Sequence, residues 1–333
     1  MRKLTTLLLF SLMMVGLLLA QNSATVNQNG PGNQALVEQT GSSSATVAQT
    51  SATDGNEVYL LQVGNGSSAT LTQDGEFNKM DVGNDGHWNN GQKGDNHTLT
   101  ATQTGEANFF YYNSGSNSHD NVADVTQTGF KSRAQVHQWG SESSVYIKQD
   151  GMVGVFPYNG DNHTAAVTQY GSGHSSDIDQ QGQNHTANVY QQNSGNSSTI
   201  VQTGDVFDGT NERYSANWPN APFNNHVVVK QYQNYNSSVV EQHGTVNNIW
   251  VTQDGNNNNL TQAVQDGEDN WADLDIVGDA NEGTTFQQGN HNTIDLDITG
   301  NNNTFEISQT GDSHTATVTQ NGNGNSVMVT QNN

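Results

Sequence analysis

The 333-residue sequence contains no cysteine. This absence excludes disulfide bonds, thiolate metal sites and lipid anchors attached to cysteine. The stability of any fold must therefore come from backbone pairing and from the stacking of side chains.

Basic residues are also scarce, with 9 Lys and Arg against 32 Asp and Glu and a formal net charge of −23. Two of the basic residues are Arg2 and Lys3, so the chain beyond them carries 7 − 32 = −25. Such a surface repels nucleic acid and anionic lipid, which excludes both as partners. The acidic residues are spread along the chain, which indicates a role in solubility.

Long hydrophobic runs are rare, and the clearest one lies at the N-terminus. Arg2 and Lys3 precede a mostly apolar run over 7–19, and the small residue Ala20 follows. This order is typical of a secretory signal peptide, so we predict that residues 1–20 direct export. The run is too short for a comfortable membrane span, and no later segment resembles one.

What the sequence has in abundance is Gly, Asn, Gln, Ser and Thr, a composition that by itself is compatible with disorder. Periodicity argues against disorder, because glutamine recurs every eleven residues in several runs. The runs are Gln127, Gln138 and Gln149; Gln169, Gln180, Gln191 and Gln202; Gln231, Gln242 and Gln253; and Gln309, Gln320 and Gln331.

A second position is locked to the first, since Asn, Ser or His stands six residues before most of these glutamines. Small or branched apolar residues of the same parity lie between, such as Ala165 and Val167. Alternation with period two predicts strands with these residues inward. We predict that the following residues form an assembly ladder: Asn33, Gln39, Ser67, Gln73, Asn121, Gln127, Ser143, Gln149, His163, Gln169, His174, Gln180, His185, Gln191, Asn196, Gln202, Asn236, Gln242, Asn247, Gln253, Asn303, Gln309, His314, Gln320, Asn325 and Gln331.

Glycine commonly follows two residues after the glutamine, as at Gly129 and Gly311, where it suits a sharp turn. Two strand-turn units make one coil, so the predicted fold is an all-β solenoid with about 22 residues per coil over 21–333. Frequent Gly, Asn and Thr argue against a helical repeat. The pattern is interrupted near 76–96, 151–162 and 205–224, which we interpret as inserted loops or bulged coils.

Stacked coils place equivalent amides ~4.8 Å apart, where they can hydrogen-bond along a column. Such columns satisfy the interior members but leave the first and last coils open. Open edges recruit another chain, so the feature that stabilises one molecule also predicts polymerisation.

This pattern of Asn or Ser, five residues, Gln and then Gly, with Ala and Val between, resembles the curlin repeat. The resemblance implies subunits that are secreted across the outer membrane of a Gram-negative-type cell and polymerise into curli fibres in the biofilm matrix. It also implies a nucleator subunit and a secretion machinery as partners. The chain is longer than a five-repeat curlin subunit, and Ile276 and Ile298 replace glutamine. Major subunit, nucleator and accessory protein all remain open.

Several features of the sequence also allow a second interpretation. Histidines at ladder positions could hold a metal, but they more simply replace Asn, and we expect no metal, cofactor or catalytic residue. Asp-Gly steps indicate turns more than calcium sites, and Thr100 and similar residues suit any strand. Outward pairs such as Asp295 and Asp297 indicate negative charge that prevents premature aggregation.

A monomeric adhesin and an ice- or calcium-binding module remain the alternatives. A β-helix enzyme should show a larger aliphatic core and a charged cleft.

Overall fold

The computed structural model describes residues 22–83, 91–151, 162–204 and 225–333. Within these ranges the chain consists of strands and turns without a helix. It follows that the described part holds no helix long and apolar enough to cross a membrane. The predicted signal peptide and the predicted insertion at 205–224 lie outside the described residues.

The strands are short, apart from two near the N-terminus, and they follow one another at regular intervals. Their bounds are β1 (Ser23–Asn29), β2 (Gln34–Thr50), β3 (Glu57–Glu76), β4 (Lys79–Val82), β5 (Gln92–Lys93), β6 (Thr98–Glu106), β7 (Phe109–Ser114), β8 (Val122–Phe130), β9 (Arg133–Gln138), β10 (Ser144–Gly151), β11 (Thr164–Ser172), β12 (Ser175–Gly182), β13 (Thr186–Ser194), β14 (Ser197–Thr203), β15 (His226–Tyr232), β16 (Ser237–Thr245), β17 (Asn248–Asp254), β18 (Asn259–Glu268), β19 (Trp271–Val277), β20 (Glu282–Gln288), β21 (Thr293–Thr299), β22 (Thr304–Thr310), β23 (Thr315–Asn321) and β24 (Ser326–Asn332).

Each coil contributes one strand to each of two parallel faces. From β6 onward every strand pairs in parallel with the strand two places later, so that β12, for example, pairs with β14. The first face contains β1, the later halves of β2 and β3, and the even-numbered strands from β6 to β24. The second face contains the earlier halves of β2 and β3, then β4 with β5, and the odd-numbered strands from β7 to β23. The result is a β-solenoid of about 12 turns, which confirms the predicted fold.

The segment around the first predicted insertion contributes to a coil of the second face. Met80 in β4 pairs with Val58, and Gln92 in β5 pairs with Gln62. Residues on both sides of 84–90 therefore occupy one level of the solenoid.

The strands form because inward and outward residues alternate, and β-branched residues suit the pleat. In β22, Phe305, Ile307 and Gln309 are buried, whereas Thr304 and Glu306 on the other side of the strand are exposed. The same alternation recurs in the other strands and builds one continuous core of Ala, Val, Ile and Leu between the two faces. Removal of these apolar side chains from water contributes roughly 25 cal/mol per Å² of buried surface.

Most of the turns that join the faces share one conformation. A glycine with positive φ leads into the turn, as at Gly300 (φ 129°), and the residue before the next buried Asn is left-handed, as at Asn302 (φ 56°). A Cβ built on Gly300 would lie 2.0 Å from the carbonyl oxygen of Gly322 in the next coil. Glycine is required there by both its φ angle and the close stacking of the coils.

Candidate functional site

A continuous column of glutamines runs through the first face from one end of the solenoid to the other. Each Nε2 donates to the Oε1 of the glutamine in the next coil, at 2.7 to 3.0 Å. The column comprises Gln28, Gln49, Gln73, Gln103, Gln127, Gln149, Gln180, Gln202, Gln242, Gln265, Gln287, Gln309 and Gln331.

The same glutamines also tie the two faces together. The second Nε2 hydrogen of Gln202 reaches the carbonyl oxygen of Thr186, 3.1 Å away on the opposite face, and Gln309 donates to that of Thr293 at 3.0 Å. An interior glutamine therefore uses both hydrogens and its oxygen without water. A fully satisfied buried network of this kind stabilises the fold, whereas a partly satisfied one is costly.

The glutamine column of the second face is interrupted. It runs from Gln39 to Gln62 and Gln92, and again from Gln138 through Gln169, Gln191 and Gln231 to Gln253.

At the first gap Ser114 replaces glutamine, and the hydroxyl of Tyr112 donates instead to Gln138 Oε1 at 3.1 Å. At the second gap Ile276 and Ile298 follow each other. The Oε1 of the next glutamine, Gln320, is buried without a hydrogen-bond partner among the described residues. The predicted substitution of glutamine by isoleucine thus breaks the column.

A second kind of column lies where each strand begins, and we call its members cap residues. The Oδ1 of a cap Asn accepts a hydrogen bond from the backbone N–H of the cap residue one coil later. Asn281 Oδ1, for example, accepts from the N–H of Asn303 at 3.0 Å. Its Nδ2 donates to a turn glycine, as from Asn281 to the Gly300 carbonyl at 2.8 Å. The cap residues are Asn22, Ser43, Ser67, His97, Asn121, Ser143, His174, Asn196, Asn236, Asn258, Asn281, Asn303 and Asn325 before the first face, and Asn33, Asn56, Asn78, Asn108, Ser132, His163, His185, Asn225, Asn247, Asn270, Asn292 and His314 before the second.

Histidines act in these columns as substitutes for Asn. The Nδ1 atoms of His97, His163 and His174 each accept a backbone N–H from the next coil at 3.3 Å. Burial, and then the neighbouring imidazole of His185, lowers the pKa of His163 to about 3, and burial lowers the pKa of His185 to about 4. These side chains are therefore neutral imidazoles at neutral pH.

All the residues predicted for the ladder lie in the four columns, facing inward, and whether they act in assembly stays a prediction. The columns have further members that the predicted ladder does not include, such as Gln28, Gln49, Gln92 and Gln265. The last three stand where the spacing departs from eleven residues: β18 carries a bulge between Leu260 and Gln262, for instance. The inward alternation A-x-V-x-Q was the signal that could have identified Gln28 and Gln49.

Outward carboxylates form an array near the C-terminal end of the second face. Asp273 and Asp275 in β19 stand in register with Asp295 and Asp297 in β21. Burial, and then the carboxylates of these neighbours, raises the pKa of Asp273. Among the described residues, no group of three or more His, Asp or Glu side chains is arranged to hold a metal ion.

The two ends of the solenoid leave the columns unfinished. At the N-terminal end, Gln28 and Gln39 donate into the molecule, and their Oε1 atoms accept nothing from the described residues. At the C-terminal end, Gln331 accepts from Gln309 and donates only to a backbone carbonyl. The inward sides of the end strands are open to solvent, because Val26 is 44% exposed and Val329 is only partly buried.

In the comparison with known protein families, one family model matches segments of this chain. The model of the curlin associated repeat matches residues 159–182, 278–311 and 300–332. The predicted resemblance to the curlin repeat is confirmed at these places. No curated protein matches the chain.

Proposed function

We propose that this chain of curlin-associated repeats is a structural subunit of extracellular, curli-like amyloid fibres. The repeats and the β-solenoid are consistent with a curli-type structural subunit, and the role requires no catalysis. The observation that carries the proposal is the chemical match between the two open ends of the solenoid. Assembly then proceeds by stacking the C-terminal coil of one copy on the N-terminal coil of the next.

The match begins with the residues of the end strands. On the first face, β24 reads Ser-Val-Met-Val-Thr-Gln-Asn and β1 reads Ser-Ala-Thr-Val-Asn-Gln-Asn. On the second face, β23 and the start of β2 share Ala, Val and Gln at the inward positions. Strands alternate between the two faces along the described chain, and both β1 and β24 lie on the first face. A second copy that continues this alternation therefore stacks its β1 on β23 and the start of its β2 on β24. The inward residues stay in register, because each of these four strands carries Ala or Val, then Val, then Gln on its inward side.

The polarity of the hydrogen bonds fits the same arrangement. Every glutamine of the first face donates toward the C-terminal end, so that Gln331 presents a donor there. Gln28 at the other end presents an acceptor. On the second face, Gln320 presents a donor at the C-terminal end and Gln39 an acceptor at the N-terminal end. Continued alternation of the strands then pairs Gln320 with Gln28 and Gln331 with Gln39. Only head-to-tail stacking pairs donors with acceptors in both columns.

The ends also lack the features that keep a solenoid monomeric. Terminal coils of non-assembling repeat proteins are atypical and polar on the outer side, and exposed edges are blocked by Pro or charge. Neither β24 nor β1 contains Pro or a charged residue. Each end strand therefore offers unpaired backbone groups and apolar inward residues to another chain.

The cellular location and the partners of the chain are inferred from the family resemblance and are part of the proposal. Residues 1–20 direct export, a secretion machinery carries the chain across the outer membrane, and a nucleator subunit starts polymerisation. The fibres lie at the cell surface, in the biofilm matrix, and contribute to adhesion.

The purified chain without residues 1–20 tests the proposal. We expect unbranched fibres with a meridional reflection near ~4.8 Å and thioflavin fluorescence that grows after seeding. Val329→Lys, which places a charge on the inward side of β24, should reduce elongation at least tenfold. Met328→Lys adds the same charge to the outward side of the same strand and should leave elongation within about twofold of the original chain.

A chain that stays monomeric at high concentration despite seeding would support the monomeric solenoid adhesin instead. Equal elongation of the two lysine variants would show that the end coil is not the growing surface.

A further inference from the structure

A row of aromatic side chains lies on the outward side of the second face, and we call it the aromatic strip. Its members are Trp139, Tyr170, Tyr190 and Tyr232, one from each of four successive coils. Neighbouring ring centroids are 5.6, 5.8 and 5.7 Å apart. The ring planes are inclined to each other by 52° or 53°, so no ring lies flat on its neighbour. Trp139 is 51% exposed and Tyr170 is 37% exposed, which leaves ring surface open to a partner.

The fold does not require aromatic residues at these positions. Thr168 in β11 stands in register with Tyr190 in β13, and Gln192 stands in register with Tyr170. Smaller polar side chains thus fit the same places on the pleat, and the rings point away from the buried columns. Contiguous exposed apolar surface of this kind commonly marks an interaction site.

The charge of the strip indicates the kind of partner. The outward positions of β9, β11, β13 and β15 carry no Asp or Glu, although the whole chain contains 32 such residues. Arg133 and Lys230 lie there instead, which disfavours a cationic partner. A polyanion is repelled by the net charge of −23. An uncharged molecule with an apolar side therefore fits the strip best.

The strip continues at Lys230, two residues before its last member in β15, into a shallow depression of about 200 Å³. The lining of the depression includes Trp250, Thr252, Asp273 and Asp275, and Trp250 is 47% exposed. An aromatic surface beside a few hydroxyl and carboxylate groups is typical of sites for small ligands. The two carboxylates can accept hydrogen bonds from hydroxyl groups.

We propose that the aromatic strip binds a neutral, unbranched, β-linked polysaccharide whose chain lies along the solenoid axis. A sugar ring in such a chain presents C–H groups on its faces and hydroxyl groups at its edge. Tyr and Trp match it, because each offers an apolar ring face and one polar group. The length of one sugar in the extended chain is similar to the coil spacing of ~4.8 Å, so successive sugars meet successive rings.

The depression takes a sugar further along the same polysaccharide chain, and the carboxylates of Asp273 and Asp275 accept hydrogen bonds from its hydroxyl groups. The strip and the depression face outward, away from both end coils. They stay accessible in the monomer and in a fibre, so this inference goes beyond the proposed assembly and does not depend on it.

Titration of the purified chain with cellohexaose, a soluble and neutral β-linked oligosaccharide, tests the inference by calorimetry. The strip variant combines Tyr170→Gln with Tyr190→Thr, so that each new residue is the type already found in register with it, at Gln192 and Thr168. We expect its dissociation constant to rise about tenfold, because two aromatic contacts are lost. Its melting temperature and fibre formation should match those of the original chain, since both positions lie on the outward side.

Tyr146→Thr is the matched control, because it removes a tyrosine that is 41% exposed on the outward side of the first face. It should bind cellohexaose with a dissociation constant within about twofold of that of the original chain.

The inference is overturned when the original chain does not bind cellohexaose, or when the strip variant binds it as tightly as the original chain does. Binding of an acidic oligogalacturonate instead, weakened by added salt, would show a site for polyanions at Arg133 and Lys230 and would also overturn it. Thinner fibre bundles from the strip variant, without sugar binding by any of the proteins, would assign the strip to contact between fibres. None of these results bears on the proposed function, whose tests alter the end coils.

Discussion

At the scale of single residues, the interior of this solenoid is half polar, and amides make that possible. A primary amide both donates and accepts, so one residue type can repeat at every level of a column. The pair Ile276 and Ile298 shows what happens when the column is broken. A break of any length leaves one donor and one acceptor at its borders, and Gln320 Oε1 is buried there without a partner among the described residues.

A single replacement within the continuous column should therefore be costly. Gln202→Leu leaves Gln180 Nε2 without its acceptor and Gln242 Oε1 without its donor. We expect the free energy of unfolding to fall by about 1–3 kcal/mol for each orphaned group, measured by denaturant unfolding of monomer under non-assembling conditions. Thr199→Ser on the outward side of the same strand is the control and should change it by less than about 0.5 kcal/mol. Equal losses in both variants would contradict the role of the column.

At the scale of elements, the turns decide how closely the coils stack. Most strands are followed by a glycine with a φ that side chains rarely adopt, and its Cα faces the carbonyl of the next turn. Two residues later the backbone is left-handed, where Asn, Asp, Ala and His all occur, as at Asn302 and Ala280. One turn thus contains a position that requires glycine and another that only favours it.

Two substitutions in neighbouring turns test this difference. Gly300→Ala combines φ 129° with a Cβ 2.0 Å from the Gly322 carbonyl oxygen. We expect it to lower the free energy of unfolding by at least ~2 kcal/mol. Gly324→Asn introduces a residue at φ 69° with no atom within 4 Å of the new Cβ, and should be neutral or slightly stabilising. A thermal melt of each variant measures both effects, and similar melting temperatures would refute the distinction.

At the scale of the whole molecule, the solenoid has a direction. Donors of the glutamine columns point to the C-terminal end and acceptors remain at the N-terminal end, so the two ends are complementary to each other but not to themselves. Two copies should therefore join only head to tail. The net charge of −23 opposes association through the outward faces, which leaves the uncharged ends as the favoured contact.

Blocking the ends one at a time tests this polarity. Val26→Lys should block the N-terminal end and Val329→Lys the C-terminal end, so that neither variant forms fibres alone. Mixed together, they retain one open end of each kind and should form a heterodimer that grows no further. Sedimentation of the mixture against each variant alone measures this. Fibres from the mixture, or dimers of one variant alone, would contradict head-to-tail stacking.

Much of the fold could be predicted from the sequence. The period of eleven residues and the alternation around Ala165, Val167 and Gln169 predicted the strands, their inward side and the solenoid. These features are local, because the two faces of a strand are set by the pleat of the backbone alone. The glycines that follow the glutamines likewise revealed the turns, since the φ angle of a turn is a property of a single residue.

Pairing between coils was decided by the tertiary structure. The sequence did not show that Gln92 stacks on Gln62 across the residues between them, that Tyr112 supplies the donor missing at Ser114, or that one glutamine column is complete and the other interrupted. Which residues stack depends on how many residues each coil inserts between them, and only the register of the hydrogen-bonded strands determines that. The sequence by itself therefore determined which side chains lie inside, and the stacking of the coils decided which of them find a partner and which are left open at the ends.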